Sequence, residues 1–438
     1  MNATAAVTRV LNALKAKSDL NLCTQLLEKS ALEQAITPQE GPLAGLPIIV
    51  KANVAVEGAR QDGASPALKS NIAAEDASIV ARLKGAGAIP VAMANMHELA
   101  FGVTSHNAHY GPVRNPHDLS RMTGGSSGGT AAAIGAGIVK AGIASDTGGS
   151  GRLPAAFCGC VGFRPTHGRY PDDGILTLSQ TLDTLTVMGA DVAMVRTMDT
   201  AITGEDAEPD RSDIRLGILH DPFWTGISSE MAALGQNVVV TLAEAGIKFA
   251  EGNAPEIEQL TEAAGFPIAL TETRDNWVKF AKDLCGQSLA EFAAEIASPD
   301  VRQLYEEMAR GEVPPPEAYA AAMDKARPAL RKRLAELFDE MKVDAFIFPT
   351  LARTAPEIDR TETVDIDGEE LPFFPTLTRR ALTASVAGYP AISLPGGVDR
   401  TGLPFGMELV GPASGDRALL SVAARLETMM RAGLPAAE

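Results

Sequence analysis

The architecture is indicated by three successive stretches, LPIIVK (46–51), DASIVARLKGAGA (76–88) and IPVAMAN (89–95). The first and third are short apolar runs typical of buried strands, whereas the middle stretch has apolar residues at helical spacing. A strand, a helix and a strand in that order favour a right-handed crossover between two parallel strands. This unit predicts an α/β fold.

The rest of the chain extends this pattern in both directions. Residues 1–36 are predicted to be helical, since Val7, Val10, Leu11 and Leu14 recur at helical spacing. The segment 228–342 is rich in Ala, Glu, Leu and Lys and is predicted to be mainly helical. Short apolar runs predict further buried strands at 141–145, 214–221, 343–350 and 389–396.

Composition and charge exclude several classes of protein. The 438 residues are 45% hydrophobic and 21% charged, which is typical of a globular chain with a large core. The 55 acidic residues outnumber the 38 Lys and Arg residues, so the net charge is −17 and binding to nucleic acid or to an anionic membrane surface is not expected. Four scattered cysteines and an N-terminus without an apolar signal core predict a cytoplasmic protein.

Two segments rich in Gly and Ser stand out, GGSSGGT (124–130) and DTGGSGRLPAA (146–156). Neither matches the phosphate-binding P-loop or the dinucleotide-binding fingerprint. In the second segment Ser150 precedes a predicted helix start, where unpaired backbone N–H groups stabilise negative charge. A nucleophile beside such donors suits acyl transfer, although a simple helix-capping serine is the alternative.

A serine nucleophile needs a base, and two kinds of residue are candidates. The histidines do not stand in an esterase G-x-S-x-G arrangement or in a zinc-binding H-E-x-x-H motif, so no metal site is predicted. Lys51 ends an apolar strand, where burial would favour the neutral amine that can act as a base; a lysine reaching out to solvent is the alternative. The six histidines are His97, His106, His109, His117, His167 and His220.

These residues resemble the motifs of the amidase signature family, whose members are Ser–cis-Ser–Lys amide hydrolases. The family carries a Lys, then G-G-S-S-[GS]-G, then D-x-G-G-S-x-R-x-P, which correspond here to Lys51, 124–129 and 146–154. Ser126 follows Lys51 by 75 residues and Ser150 follows Ser126 by 24, in agreement with the family spacing. The resemblance covers about 41–200 and resumes at 386–412.

The resemblance implies a role for each matched residue and no cofactor. Ser150 is the expected nucleophile, Ser126 the bridging serine on a cis peptide and Lys51 the terminal base. Ser127, Asp146 and Arg152 are the expected supporting residues. The oxyanion hole is expected to consist of the N–H groups of Thr147, Gly148, Gly149 and Ser150.

The same resemblance implies a single α/β domain over 1–438 with a large, mixed, mostly parallel sheet covered by helices on both faces. The expected parts are N-terminal helices (1–40), a catalytic core (41–200), a mainly helical insertion (228–342), and returning strands with a C-terminal helix (343–438).

Two further segments, 95–116 and 168–176, look most like the indoleacetamide and mandelamide hydrolases, which cleave primary amides of arylacetic-type acids. By this register Ala100 and Phe101 border the scissile carbonyl. The implied reaction converts a small carboxylic amide to its acid and ammonia, with neither nucleic acid nor membrane as a partner.

Other functions remain open at this stage. A hydrolase of a ureido compound such as allophanate or biuret is favoured if Arg379 and Arg380 face the pocket, because paired arginines bind carboxylates. A glutaminase-type subunit of an amidotransferase would need a partner, and a binding module without activity would need a broken triad. A homodimer and a small accessory subunit are both compatible with the sequence.

Overall fold

The computed structural model describes residues 2–37, 40–209 and 211–433, and an α/β architecture fills these ranges. The strands are β1 (Cys23–Leu26), β2 (Pro47–Lys51), β3 (Ile89–Ala94), β4 (Arg114–Asn115), β5 (Asp118–Met122), β6 (Ala141–Asp146), β7 (Val161–Arg164), β8 (Thr184–Gly189), β9 (Arg215–Leu219), β10 (Lys248–Gly252), β11 (Ala345–Pro349), β12 (Thr363–Ile366), β13 (Glu369–Pro372), β14 (Ala391–Val398) and β15 (Pro404–Val410). The helices are α1 (Ala3–Ala16), α2 (Glu28–Ile36), α3 (Ser78–Gly85), α4 (Gly128–Gly135), α5 (Arg152–Cys158), α6 (Val192–Thr203), α7 (His220–Phe223), α8 (Ser229–Glu244), α9 (Glu256–Cys285), α10 (Leu289–Ala294), α11 (Pro299–Ala309), α12 (Pro316–Ala321), α13 (Arg327–Met341), α14 (Phe373–Thr378), α15 (Ala381–Ala387) and α16 (Asp416–Gly433).

Eleven of these strands form one mixed sheet in the order β1-β3-β2-β6-β8-β7-β14-β15-β11-β9-β10. Parallel pairing holds within two blocks, β3-β2-β6 on one side and β11-β9-β10 on the other. The strands between the blocks pair antiparallel. The crossover predicted from 46–95 is confirmed, because β2 and β3 are parallel neighbours joined through α3.

Helices cover both faces of the sheet, which confirms the predicted fold class. Successive side chains of a strand point to opposite faces, and in β2 Ile48 and Val50 belong to one apolar cluster whereas Ile49 belongs to another. The first cluster includes side chains from α3, α6, α8 and α16. On the opposite face, α1, α2 and α4 cover the β3-β2-β6 block, and α13 with the first half of α9 covers the region of β11.

Two segments predicted as helical also contain strands. Within 1–40, the helices α1 and α2 are separated by β1, which pairs with β3 at the edge of the sheet. Within 228–342, β10 pairs with β9 and forms the opposite edge. Both are short edge strands that are only partly buried, so they lack the continuous apolar run by which the central strands were predicted. Among the helices in the described ranges, none is long and apolar enough to cross a membrane.

Candidate active site

The sheet brings the ends of two parallel neighbours to one edge. β2 ends at Lys51 and β6 ends at Asp146, and Val50 pairs with Ile143 between them. Since parallel strands end at the same side of a sheet, Lys51 lies beside Ser145 and Asp146. The loops that carry the other predicted site residues lead into α4 and α5 at this edge.

Lys51 is fully buried and makes two short contacts with hydroxyl groups. Its Nζ donates to Ser126 Oγ at 2.7 Å and to Ser145 Oγ at 2.8 Å. Burial lowers the pKa of Lys51 to about 7, and the negative charges of Asp146 and Asp183 oppose this shift only partly. Near neutral pH the amine is therefore available in the neutral form, as the strand-end position predicted.

Ser126 lies in a tightly enclosed loop, and the Gly125–Ser126 peptide is cis. Its carbonyl accepts hydrogen bonds from the N–H of His97 at 3.0 Å and the hydroxyl of Ser105 at 3.3 Å. A Cβ atom on Gly125 would lie 2.9 Å from the backbone nitrogen of Ser105, so a larger residue would displace the loop. These contacts hold the Ser126 hydroxyl against Lys51.

Ser127 and Ser145 support this arrangement from the side. Ser127 Oγ donates to the carbonyl of Ser145 at 3.2 Å, which ties the start of α4 to β6 as expected for a supporting residue. The Ser145 hydroxyl also accepts from Asn53 Nδ2 at 3.2 Å. Sequence analysis missed Ser145 and Asn53, although both lie within two residues of a predicted site residue and could have been found from the strand register.

Ser150 lies two residues before the start of α5 and keeps 7% of its surface exposed, at the wall of a cavity. The structure brings together Lys51 and Ser126 directly. No hydrogen bond joins the hydroxyls of Ser126 and Ser150, which both lie in the described range 40–209.

The loop before Ser150 differs from the expected oxyanion hole at one position. The N–H of Gly149 donates to Asp146 Oδ1 at 2.9 Å, because the Asp146 side chain folds back over the turn. Gly149 is therefore occupied as a donor, contrary to the expectation. Within 40–209, the N–H groups of Thr147, Gly148 and Ser150 have no hydrogen-bond acceptor among the described residues.

The predicted Asp146–Arg152 pair is the centre of a buried charge network. Arg152 donates to both carboxylate oxygens of Asp146 at 3.0 Å and also binds Glu408, while Arg164 binds Asp146 Oδ1 at 3.1 Å. Burial alone would raise the pKa of Asp146, but the two arginines outweigh burial and hold it well below its usual value. Sequence analysis missed Arg164 and Glu408, which arrive from β7 and β15.

Asp183 connects the loop 147–150, which we call the oxyanion loop after its expected role, to Leu178 in the cavity wall. Its carboxylate accepts from Thr147 Oγ1 at 2.7 Å and from the N–H of Leu178 at 2.8 Å. Burial raises the pKa of Asp183 to about 6 despite these hydrogen bonds. The negative charge of Asp183 in turn acts to raise the pKa of Lys51. Asp183 was not predicted as a site residue.

The cavity at Ser150 is apolar. Ala100 and Phe101, the two residues predicted to border the scissile carbonyl, line it together with Ser150. The other walls come from several separate segments of the chain, including α9, which sequence analysis did not connect with the site. They comprise Gly102, Val103, Leu178, Leu182, Gly265, Phe266, Ala269, Phe374, Thr378 and Leu382, together with Thr147 and Gly148 of the oxyanion loop.

The two arginines considered for carboxylate binding do not line this cavity. Arg380 is buried and donates to the carbonyls of Phe223 and Thr225. Arg379 pairs with Glu258 and lines a neighbouring surface groove. The lining of the Ser150 cavity contains no charged side chain among the described residues.

Among the histidines, His97 makes side-chain contacts that hold a segment of the cavity wall in place. His97 is buried, with Nδ1 3.1 Å from Thr104 Oγ1 and Nε2 3.1 Å from Asp300 Oδ2. It therefore anchors the 97–104 segment, which includes Ala100 and Phe101, to the start of α11. Across the described part of the chain, no three His, Cys, Asp or Glu side chains are placed to hold one metal ion.

Comparison with known proteins identifies the family. The Amidase family model matches residues 5–420. An indoleacetamide hydrolase of Agrobacterium vitis is 38% identical over 88% of this chain and 83% of its own length, and a mandelamide hydrolase of Pseudomonas putida is 38% identical over 90% and 80%. A crystal structure of an amidase superposes with a TM-score of 0.89 and 29% identity over 98% of this chain and 96% of that one. The chain belongs to the amidase family.

Proposed function

We propose that the protein hydrolyses a primary amide with a compact, apolar acyl group to the acid and ammonia, with Ser150 as nucleophile. The observation that carries this proposal is the contact of a fully buried Lys51 with Ser126 beside an uncharged cavity that exposes Ser150. Serine is a weak nucleophile at neutral pH and needs a base within reach. Lys51, whose pKa is about 7, supplies that base through Ser126.

In the acylation step, neutral Lys51 takes a proton from Ser126 while Ser126 takes one from Ser150. Ser150 Oγ forms a bond to the amide carbon, and the carbonyl electron pair moves to oxygen. The tetrahedral intermediate then collapses, its C–N bond breaks, and the relay returns the proton to the nitrogen, so that ammonia leaves. Water next attacks the ester carbon and gives one proton to the same relay. The bond between that carbon and Ser150 Oγ then breaks, the relay returns the proton to Ser150 Oγ, and the acid leaves.

The negative oxygen of the tetrahedral intermediate is held by backbone donors. The N–H groups of Thr147, Gly148 and Ser150 are the proposed oxyanion hole, because Gly149 already donates to Asp146. The chain turns at Gly149 with a φ of 117°, a backbone conformation that favours glycine. A Cβ atom added to Gly149 would lie 2.8 Å from the Cβ atom of Ala381. Asp146 and Arg152 hold this turn in place.

The substrate class follows from the cavity. Aromatic and aliphatic walls without a charged side chain favour an uncharged apolar acyl group. The indoleacetamide and mandelamide hydrolases to which this chain is similar are named for amides of this kind. Allophanate and glutamine are disfavoured, since each would bring a charged group into a cavity that offers no partner for it. Biuret is neutral, but it would bury two polar urea-type groups against apolar walls.

Ammonia release from a panel of amides tests the proposal. Phenylacetamide and mandelamide should be hydrolysed without a second protein, whereas glutamine, allophanate and biuret should give little ammonia. Ser150→Ala should be inactive on every amide, and Ser120→Ala, at an exposed serine on β5, serves as the matched control. Faster turnover of glutamine or allophanate than of phenylacetamide would contradict the proposed substrate class.

A further inference from the structure

The Ser150 cavity is closed differently at its two sides. At the inner side, Leu178 and Leu182 are almost completely buried. At the outer side, Phe266 of α9 and Phe374 of α14 form the wall, with ring centroids 6.1 Å apart and ring planes inclined by 49°. The inner wall is thus fixed by the core, whereas the outer wall consists of two aromatic side chains from separate helices.

Phe266 lies at the boundary of three spaces. It lines the Ser150 cavity, an outer groove that contains His97, Leu270, Asp300, Leu304 and Glu307, and a side groove that contains Glu258 and Arg379. Phe374 lines the cavity and the outer groove, as do Phe101, Gly102 and Val103. Residues shared by adjoining spaces separate them, and Phe266 and Phe374 are the two that α9 and α14 contribute.

Phe266 combines partial exposure with a place in an apolar cavity. The residue is 42% exposed, so it keeps only part of the about 1.5–3 kcal/mol that full burial of a phenylalanine is worth. It lines the Ser150 cavity and both grooves, and its ring therefore lies between them.

We propose that Phe266 and Phe374 form a partition that sets the maximum length of the acyl group, and this inference rests on the proposed amide hydrolysis. With the partition in place, the acyl group must fit between the inner leucines and the two rings. Without the Phe266 ring, the cavity opens toward Leu270 and Leu304 in the outer groove, where a longer apolar tail gains contacts. Phe266 and Phe374 are thus specificity-determining residues.

The test compares two neutral amides that differ only in chain length, phenylacetamide and 4-phenylbutyramide. The measured quantity is the ratio of kcat/KM for the long amide to that for the short amide. Phe266→Ala should raise this ratio at least about tenfold, the size of effect that one or two methylene groups produce in an apolar pocket. Phe374→Ala should raise it in the same direction.

Leu284→Ala is the matched control. Leu284 lies on the same helix, is also 42% exposed, and lines neither the cavity nor the two grooves. For the Leu284→Ala variant, the ratio of kcat/KM for the long amide to that for the short amide should equal the wild-type ratio. An unchanged ratio in both phenylalanine variants, with phenylacetamide still hydrolysed, would overturn the partition alone. Absence of amide turnover in the wild type would overturn the proposed function and the partition with it.

Discussion

The Nζ atom of Lys51 lies 2.7 Å from the Oγ atom of Ser126, and both residues are completely buried. A protonated lysine in that position would have to be desolvated, which is why burial brings its pKa down to about 7. A lysine amine usually titrates near pH 10.4 and is a poor base at neutral pH. Burial therefore makes Lys51 available as a proton acceptor in the physiological range.

The first prediction concerns the pH dependence. Because the base must be neutral, kcat/KM for phenylacetamide should rise with pH through about 7 and stay high into the alkaline range. The apparent pKa belongs to the coupled group of Lys51 and its neighbours rather than to the lysine alone. Lys51→Ala should remove most activity, and Lys51→Arg should not restore it, because a guanidinium stays protonated. A fully active Lys51→Arg enzyme would exclude Lys51 as the base.

The second prediction concerns the acyl-enzyme. Ser150→Ala should reduce kcat by roughly a thousandfold or more, since loss of a nucleophile typically costs several orders of magnitude. Mass spectrometry of the wild type mixed with a slow amide should show the acyl mass on the peptide that contains Ser150. The Ser150→Ala variant should show no added mass at this peptide. Acylation at any other residue would contradict the assignment.

The third prediction uses the charge of Asp183. This carboxylate raises the pKa of Lys51, so the neutral Asp183→Asn side chain should move the rising limb of the pH profile to lower pH. The Thr147 hydroxyl can still donate to the asparagine oxygen, which preserves part of the loop contact. Asp339→Asn, at an exposed position on α13, should leave the limb in place because solvent and salt screen remote charges. A shift to higher pH in Asp183→Asn would refute the electrostatic coupling.

The fourth prediction concerns stability. Arg152→Met leaves Glu408 without its buried partner and should lower the free energy of unfolding by about 3–5 kcal/mol. Lys248→Met breaks an ion pair with Asp213 that is exposed to solvent and should leave the urea midpoint unchanged. Equal midpoints for the two variants would show that the buried network does not stabilise the fold.

The fifth prediction concerns metals. In the proposed mechanism Lys51 and Ser126 supply the proton transfers that activate Ser150, so EDTA should leave the rate unchanged. A rate that is lost on chelation and restored by zinc or manganese would contradict the mechanism and point to His97, His106 and His109. The measurement is ammonia release before and after dialysis against the chelator.

Sequence analysis located the residues whose roles depend on the local backbone. Lys51 at a strand end and Ser150 before a helix start could be found because strand endings and glycine-rich turns leave a local signature, whereas Ser126 was assigned through the resemblance to the amidase signature family. The contact between Lys51 and Ser126 confirms that the two motifs meet. The N–H of Gly149 donates to Asp146 Oδ1, and a loop sequence does not show which of its donors a neighbouring side chain will occupy.

The cavity walls could not be predicted in the same way. Apolar spacing in α9 indicates that one face is buried, but not that Gly265, Phe266 and Ala269 face Ser150. The same limit applies to Arg379 and Arg380, whose charge suggested a substrate carboxylate, whereas Arg380 satisfies the carbonyls of Phe223 and Thr225. Contacts between distant segments depend on how helices pack, and the sequence of one segment does not specify its partner.

The strand order has a consequence for synthesis of the chain. β14 and β15 follow the proposed triad residues in the chain by more than 200 residues, yet they occupy the middle of the sheet between β7 and β11. Every proposed triad residue has been translated by residue 150, but Arg152 meets Glu408 only after β15 has emerged. We therefore expect nascent chains to be inactive until β15 has left the ribosome.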